Sequence, residues 1–157
     1  MYEVIYHSCT GNTRKVAEEI AKALDVTAQD VGTACVVNSD AFVFLGMGTY
    51  RGVLPDTVKA FIHQNRFRGR KIALFTTSAF GFEAERRSLE KQLEDEGAIV
   101  VRHFKCYGRL ADINKDHPTW LELKKAAWFA RSVALTLYEC RKASVYEYNR
   151  LAVPVKI

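Results

Sequence analysis

The sequence predicts an α/β domain built on a doubly wound, five-stranded parallel sheet with helices on both faces. Three observations carry that expectation. Strand-like and helix-like segments alternate along the 157 residues, the pattern that βαβ connections produce. Two of the strand segments are continuous apolar runs, as expected where both faces of a strand are covered. A short loop rich in Ser, Thr and Gly separates the first strand from the first helix, where a parallel sheet places its ligands.

Val4-Ile5-Tyr6 closes the first strand. Residues 13–24 put Val16, Ile20 and Leu24 on one helical face at i, i+4 and i+8. A short second strand lies near 26–31. Ala41-Phe42-Val43-Phe44-Leu45 is the third, and Pro55 opens a helix that should bury Val58, Phe61 and Ile62. Ile72-Ala73-Leu74-Phe75 is the fourth strand. Residues 83–96 form a helix with Leu89 and Leu93 inward, stopped by Gly97. Ile99-Val100-Val101 starts a fifth strand that runs to about Tyr107. The last helix is expected from near Pro118 to about Arg141, with Asp116 as cap. Its Trp120, Leu123, Trp128, Phe129, Val133 and Leu137 are expected to face the core or the sheet. Residues 1–142 make one domain. The apolar segment 143–157 should pack back on the domain or on a neighbouring subunit.

Composition narrows the function. Hydrophobic residues make up 48% and charged residues 26%, as in ordinary globular chains. No run approaches the ~20 apolar residues that span a bilayer. No secretory signal is evident, so a cytoplasmic location is the default expectation. Cys9, Cys35, Cys106 and Cys140 form neither a C-x-x-C pair nor a zinc spacing, and free thiols are expected. The net charge of +5 is spread along the chain, +2 in residues 1–80 and +3 in 81–157. The densest basic cluster, Arg66-Phe67-Arg68-Gly69-Arg70-Lys71, reads as a solvated turn before a strand rather than a nucleic-acid surface.

The most informative segment is Ser8-Cys9-Thr10-Gly11-Asn12-Thr13. It sits where a helix begins, so unpaired N–H groups and about half a positive charge face it. A phosphate placed there meets backbone donors. Ser8, Thr10 and Thr13 add hydroxyls, Asn12 adds an amide, and Gly11 lets the chain bend closely around an anion. A capped helix would need one such residue, not four in six. The loop lacks the glycines and lysine of a Walker motif.

The segment resembles the S/T-x-T-G-x-T phosphate loop of flavodoxins, and the likeness extends over roughly residues 2–140. That resemblance implies the strand order 2-1-3-4-5 and a flavin mononucleotide (FMN) cofactor whose phosphate sits in this loop. Gly46-Met47-Gly48-Thr49-Tyr50-Arg51-Gly52, at the end of the third strand, resembles the family's first flavin-binding loop. It assigns Gly48, Thr49, Tyr50, Arg51 and Gly52 to the ring, with Tyr50 as a stacking face. Here Gly48 stands where many members carry Pro or Ser. The end of the fourth strand resembles the second flavin loop and assigns Thr77, Ser78, Ala79, Phe80, Gly81 and Phe82. Its aromatics are Phe where the family often carries Tyr or Trp. Phe104-Lys105-Cys106-Tyr107-Gly108 resembles a stretch after the family's fifth strand, and also reads simply as a strand ending at a glycine. The absence of an insertion in that strand resembles the short-chain members.

Metal and catalytic side-chain constellations are not evident. The expected role is electron transfer by bound FMN, with redox proteins as donor and acceptor. The basic surface favours acidic partners. Neither nucleic acid nor a membrane is expected as a partner, and a monomer or a dimer fits. An FMN-dependent NAD(P)H or quinone oxidoreductase of the same fold is the alternative, followed by a binding module that has lost its flavin.

Arg51 lies inside an expected flavin loop, unless it is solvated or paired with Asp56. A unit charge at ~8 Å with an effective dielectric of ~20 contributes about 2 kcal/mol, or roughly 90 mV for one electron. The potential for the flavin's second electron should therefore be lower in Arg51→Ala. An equal or higher second potential in a parallel redox titration would exclude this role.

Overall fold

The computed structural model describes residues 1–33, 38–48, 54–80 and 83–151, with Glu85 and 145–151 described by backbone alone. Among the described residues, five strands and four helices follow in the order β1 (Tyr2–His7), α1 (Asn12–Ala23), β2 (Ala28–Asp30), β3 (Phe42–Gly48), α2 (Asp56–Gln64), β4 (Lys71–Ser78), α3 (Ala84–Asp95), β5 (Ile99–Tyr107) and α4 (Trp120–Leu151). The strands form one sheet in the order β2-β1-β3-β4-β5, and each neighbouring pair is parallel. The expected fold class and strand order are therefore those observed.

Alternation along the strands divides the core in two. Ile5, Val43, Leu45, Met47, Ile72 and Leu74 face α2 and α3. Val4, Tyr6, Phe42, Phe44, Ala73 and Phe75 face α1 and α4. Successive strand side chains point to opposite faces, so covering both faces demands the unbroken apolar runs seen in the sequence. Burying a side chain as large as Phe44 or Phe75 contributes roughly 1.5–3 kcal/mol. Ala17 and Ala21 of α1 and Ala126 and Ala130 of α4 are all buried. Their small size lets the two helices lie close together over the same face.

Several boundaries differ from the sequence expectation. Gly46, Met47 and Gly48 belong to β3, and Thr76, Thr77 and Ser78 belong to β4. The glycines and threonines there read as loop residues by type, but ladder pairing to the neighbouring strands keeps them extended. Asp116 does not cap α4. Thr119 does: its hydroxyl accepts from the Glu122 N–H at 3.3 Å, and the Glu122 carboxylate accepts from the Thr119 N–H at 2.7 Å. This is a reciprocal capping box, whose T-x-x-E pattern stood in the sequence. The helix also continues past Arg141 to Leu151. Phe129 and Val133 of α4 are buried as expected, whereas Trp120 and Trp128 are exposed. These two tryptophans occupy the side of α4 opposite its contact with α1 and the sheet.

Gly46 lies opposite Phe75 in the β3–β4 register. A Cβ on Gly46 would come within 2.0 Å of the Phe75 ring. Glycine is thus needed because an aromatic ring crosses its Cα. Overpacking of a dense core costs typically 1–3 kcal/mol, so Gly46→Ala should destabilise by at least that amount in urea unfolding. Adding Phe75→Leu should recover part of the loss; strict additivity of the two changes would show that the ring is not the obstacle.

Candidate functional site

The C-terminal ends of β1, β3 and β4 meet at one edge of the sheet. His7 pairs with Met47, and Gly48 pairs with Thr77. The segment 8–13 leaves β1 there and opens α1. Gly11 occupies the N-cap with φ 82°, a left-handed conformation that suits glycine. No side chain caps α1, and no acidic residue lies in its first turn. Among the loop's side chains, those of Asn12 and Thr13 reach elements distant in the chain.

Their actual partners build a scaffold around the helix start. The Thr13 hydroxyl shares a buried 2.9 Å hydrogen bond with the Thr77 hydroxyl, joining α1 to the end of β4. The Asn12 amide donates to the Thr10 hydroxyl at 2.8 Å and to the Arg109 carbonyl at 2.7 Å. Cys9 is exposed, with its Sγ 3.5 Å from His7 Nε2. The Ser8 Oγ is buried and has no hydrogen-bond partner among the described residues. Leaving a buried hydroxyl unsatisfied costs about 1–3 kcal/mol. An oxyanion seated at the start of α1 is the kind of group that would satisfy it. The donor set therefore fits a phosphate.

Of the other candidate positions, Gly48 ends β3 and is buried. Thr77 and Ser78 end β4, both buried. The Ala79 carbonyl accepts from the Asn114 amide at 2.8 Å. The Phe80 side chain is 54% exposed beyond the strand end. Thr49, Tyr50, Arg51, Gly52, Gly81 and Phe82 lie outside the described residues. Asp56, weighed as a partner for Arg51, pairs with Lys59 at 3.0 Å.

Residues 3–129 match the flavodoxin domain family. The chain belongs to the flavodoxin family. It is 30% identical over 110 residues to a flavodoxin of Clostridium beijerinckii, a match spanning 63% of this chain and 80% of that one. An uncharacterized protein of Methanocaldococcus jannaschii is 26% identical over 145 residues, spanning 85% of this chain and 95% of its own length. Among solved structures, oxidised flavodoxin 2 of Bacillus cereus has the same fold, with a TM-score of 0.66, 24% identity and coverage of 86% of this chain and 98% of that one. Family membership implies a flavin cofactor, and β1, β3 and β4 bring their C-terminal ends together at one edge.

One wall of that edge was not anticipated from the sequence. The segment after β5 closes against the loop of residues 8–13, and Gly108 approaches Asn12 so closely that a Cβ would come within 3.0 Å of the amide. Asn114, with φ 54°, reaches across to Ala79. Glu122 fastens the far end of the segment, accepting from the Tyr107 N–H at 3.1 Å and lying 2.7 Å from His117 Nδ1. Burial opposes the charge on Glu122. Hydrogen bonds from Thr119, Tyr107 and His117 outweigh it and hold the carboxyl below its usual range. The T-x-x-E pattern at Thr119–Glu122 and the resemblance at Phe104–Gly108 were the signals present in the sequence.

Glu83 sits just before α3 near this edge. It accepts from Lys105 at 2.6 Å and also pairs with Arg86. Lys105 first and Arg86 second depress its pKa from 4.5 to about 2. A depressed carboxyl pKa adds stability above the unfolded pKa, and that contribution disappears as pH falls through the folded value. Glu83→Gln should therefore be less stable than wild type at pH 7. The gap should close between about pH 4.5 and about 2, as read by denaturant midpoints across pH. A constant gap would show that charge is not the cause.

Proposed function

We propose that this flavodoxin binds FMN, holds its phosphate with residues 8–13 and transfers electrons between redox partners. The observation that carries the reading is the buried Ser8 hydroxyl, without a hydrogen-bond partner among the described residues, in the loop that opens α1 at Gly11. An anion-directed helix terminus with a spare hydroxyl donor suits a phosphate better than a neutral group.

Ser8, Thr10 and Thr13 would offer hydroxyls, and the first N–H groups of α1 would offer backbone donors. The adjacent cations Arg14 and Lys15 are both exposed. Arg14 pairs with Glu18 at 2.7 Å, leaving neutral dipoles to hold the dianion. The Thr13–Thr77 bond and the Asn12 contacts would keep those donors in place before the ligand arrives. Gly48, Thr77, Ser78, Ala79 and Phe80 would flank the ring, together with the neighbouring segments 49–52 and 81–82. Bound FMN supplies one- and two-electron chemistry, which the protein positions and tunes. The basic surface would favour acidic redox proteins.

Hydrogen bonds to charged groups contribute about 1.5–3 kcal/mol each. Replacing Thr10 and Thr13 by Ala should thus weaken FMN by at least ~10-fold and leave riboflavin, which has no phosphate, nearly unchanged. Titration by flavin fluorescence reads both, and equal losses would contradict the phosphate assignment. Alkylation offers a readout independent of redox activity. FMN should slow iodoacetamide labelling of Cys9 without affecting Cys140, which is exposed on α4. Cys106, whose thiol burial pushes up to about 12, should resist labelling at pH 8 with or without FMN.

A further inference from the structure

Helix α4 has two unlike faces. At 100° per residue, Ala126, Phe129, Ala130 and Val133 share one side, and all are buried. The opposite side forms an exposed sector about 100° wide. Its apolar residues are large: Trp120 is 71% exposed and Trp128 is 74% exposed, and Leu121, Leu135 and Tyr138 are exposed with them. Lys124, Arg131 and Lys142 interleave with these side chains, and all three are exposed. The Lys124 ammonium lies 5.9 Å from the Trp120 ring centre, and that of Lys142 lies 4.9 Å from the Tyr138 ring centre. Glu139 stands only at the margin of the sector. Over residues 120–151, six Lys/Arg face three Asp/Glu, a net +3 of the chain's +5.

We infer that this outer face of α4 docks on an anionic phospholipid surface. Two tryptophans spaced along one ridge place amphipathic rings at the depth of the headgroups. The interleaved cations would meet lipid phosphates while their aliphatic stems cover apolar surface. A single convex ridge needs no complementary pocket in a fluid interface. A second copy of the chain fits less well, because face-to-face packing would oppose the same three cations. No helix among the described residues is long and apolar enough to cross a membrane. The helix would therefore lie on the surface. Thirty-two residues give it a length of ~48 Å. Its first turn is tied by Glu122 to the end of β5, so docking would hold the cofactor edge of the sheet near the lipid. The proposal does not depend on which flavin is bound.

The test is co-sedimentation of the purified full chain with vesicles of phosphatidylcholine alone or with about one third phosphatidylglycerol. Pelleting with the anionic vesicles only, weakened at about 0.5 M salt, is expected. A blue shift of tryptophan emission should accompany it. Trp128→Glu and the pair Lys124→Glu/Arg131→Glu should each weaken binding roughly 10-fold or more, with circular dichroism and melting temperature close to wild type. These positions lie outside the packed core, so folding should survive. Three results would overturn the proposal. The first is a folded wild type that leaves anionic vesicles in the supernatant. The second is undiminished binding by both folded variants. The third is a wild-type dimer in light scattering that Trp128→Glu converts to monomer, which would assign the face to a second copy.

Discussion

β3 is buried along its whole length, from Phe42 to Gly48. A strand covered on both faces has no room for polar chemistry along its sides, because an unpaired buried polar group costs too much. Polar function is therefore confined to the strand ends. In a parallel sheet all the C-terminal ends point the same way, so β1, β3 and β4 deliver their loops to a single edge. The close fit of Gly46 beneath Phe75 shows how tightly that constraint is applied. The polar residues Thr76, Thr77 and Ser78 appear only as β4 reaches this edge.

At the edge, local and tertiary forces meet on a few atoms. Helix α1 aims its positive end at the loop of residues 8–13, and its first turn carries no acidic residue. The buried bond between Thr13 and Thr77 holds that helix against β4. Asn12 holds it against the segment after β5. Bonds of this kind hold the helix start in place, which would lower the ordering cost of the phosphate binding proposed above. Much of the ion pairing lies around α3 and the exposed helix faces. Glu83 joins Lys105 and Arg86, and Arg86 also pairs with Glu90. These contacts shape the rim of the edge without placing a charge inside the loop.

The fourth helix connects the edge to the rest of the surface. Its first turn is fixed by the Thr119–Glu122 box and by the Tyr107 N–H. Its inner face completes the core against α1 and the sheet. The outer face repeats large apolar residues among cations, and these side chains are exposed. This physical difference separates the inward aromatic Phe129 from the outward Trp120 and Trp128.

The sequence by itself determined the fold class, the succession of elements and the polar loop that opens α1. Strand and helix periods follow from backbone geometry, and the residues 8–13 carry their chemistry in their own side chains. The buried positions Val16, Ile20, Val58, Phe61, Leu89 and Leu93 were legible for the same reason. Only the tertiary structure decided which partners those side chains take. It gave Thr13 to Thr77 across 64 residues and Asn12 to Arg109 across 97. It also kept Gly46–Gly48 extended, brought Gly108 and Asn114 against the site, and turned Trp120 and Trp128 outward. Each of these outcomes depends on what lies on the far side of a strand or helix, and that is set by packing between segments distant in the chain rather than by any local pattern.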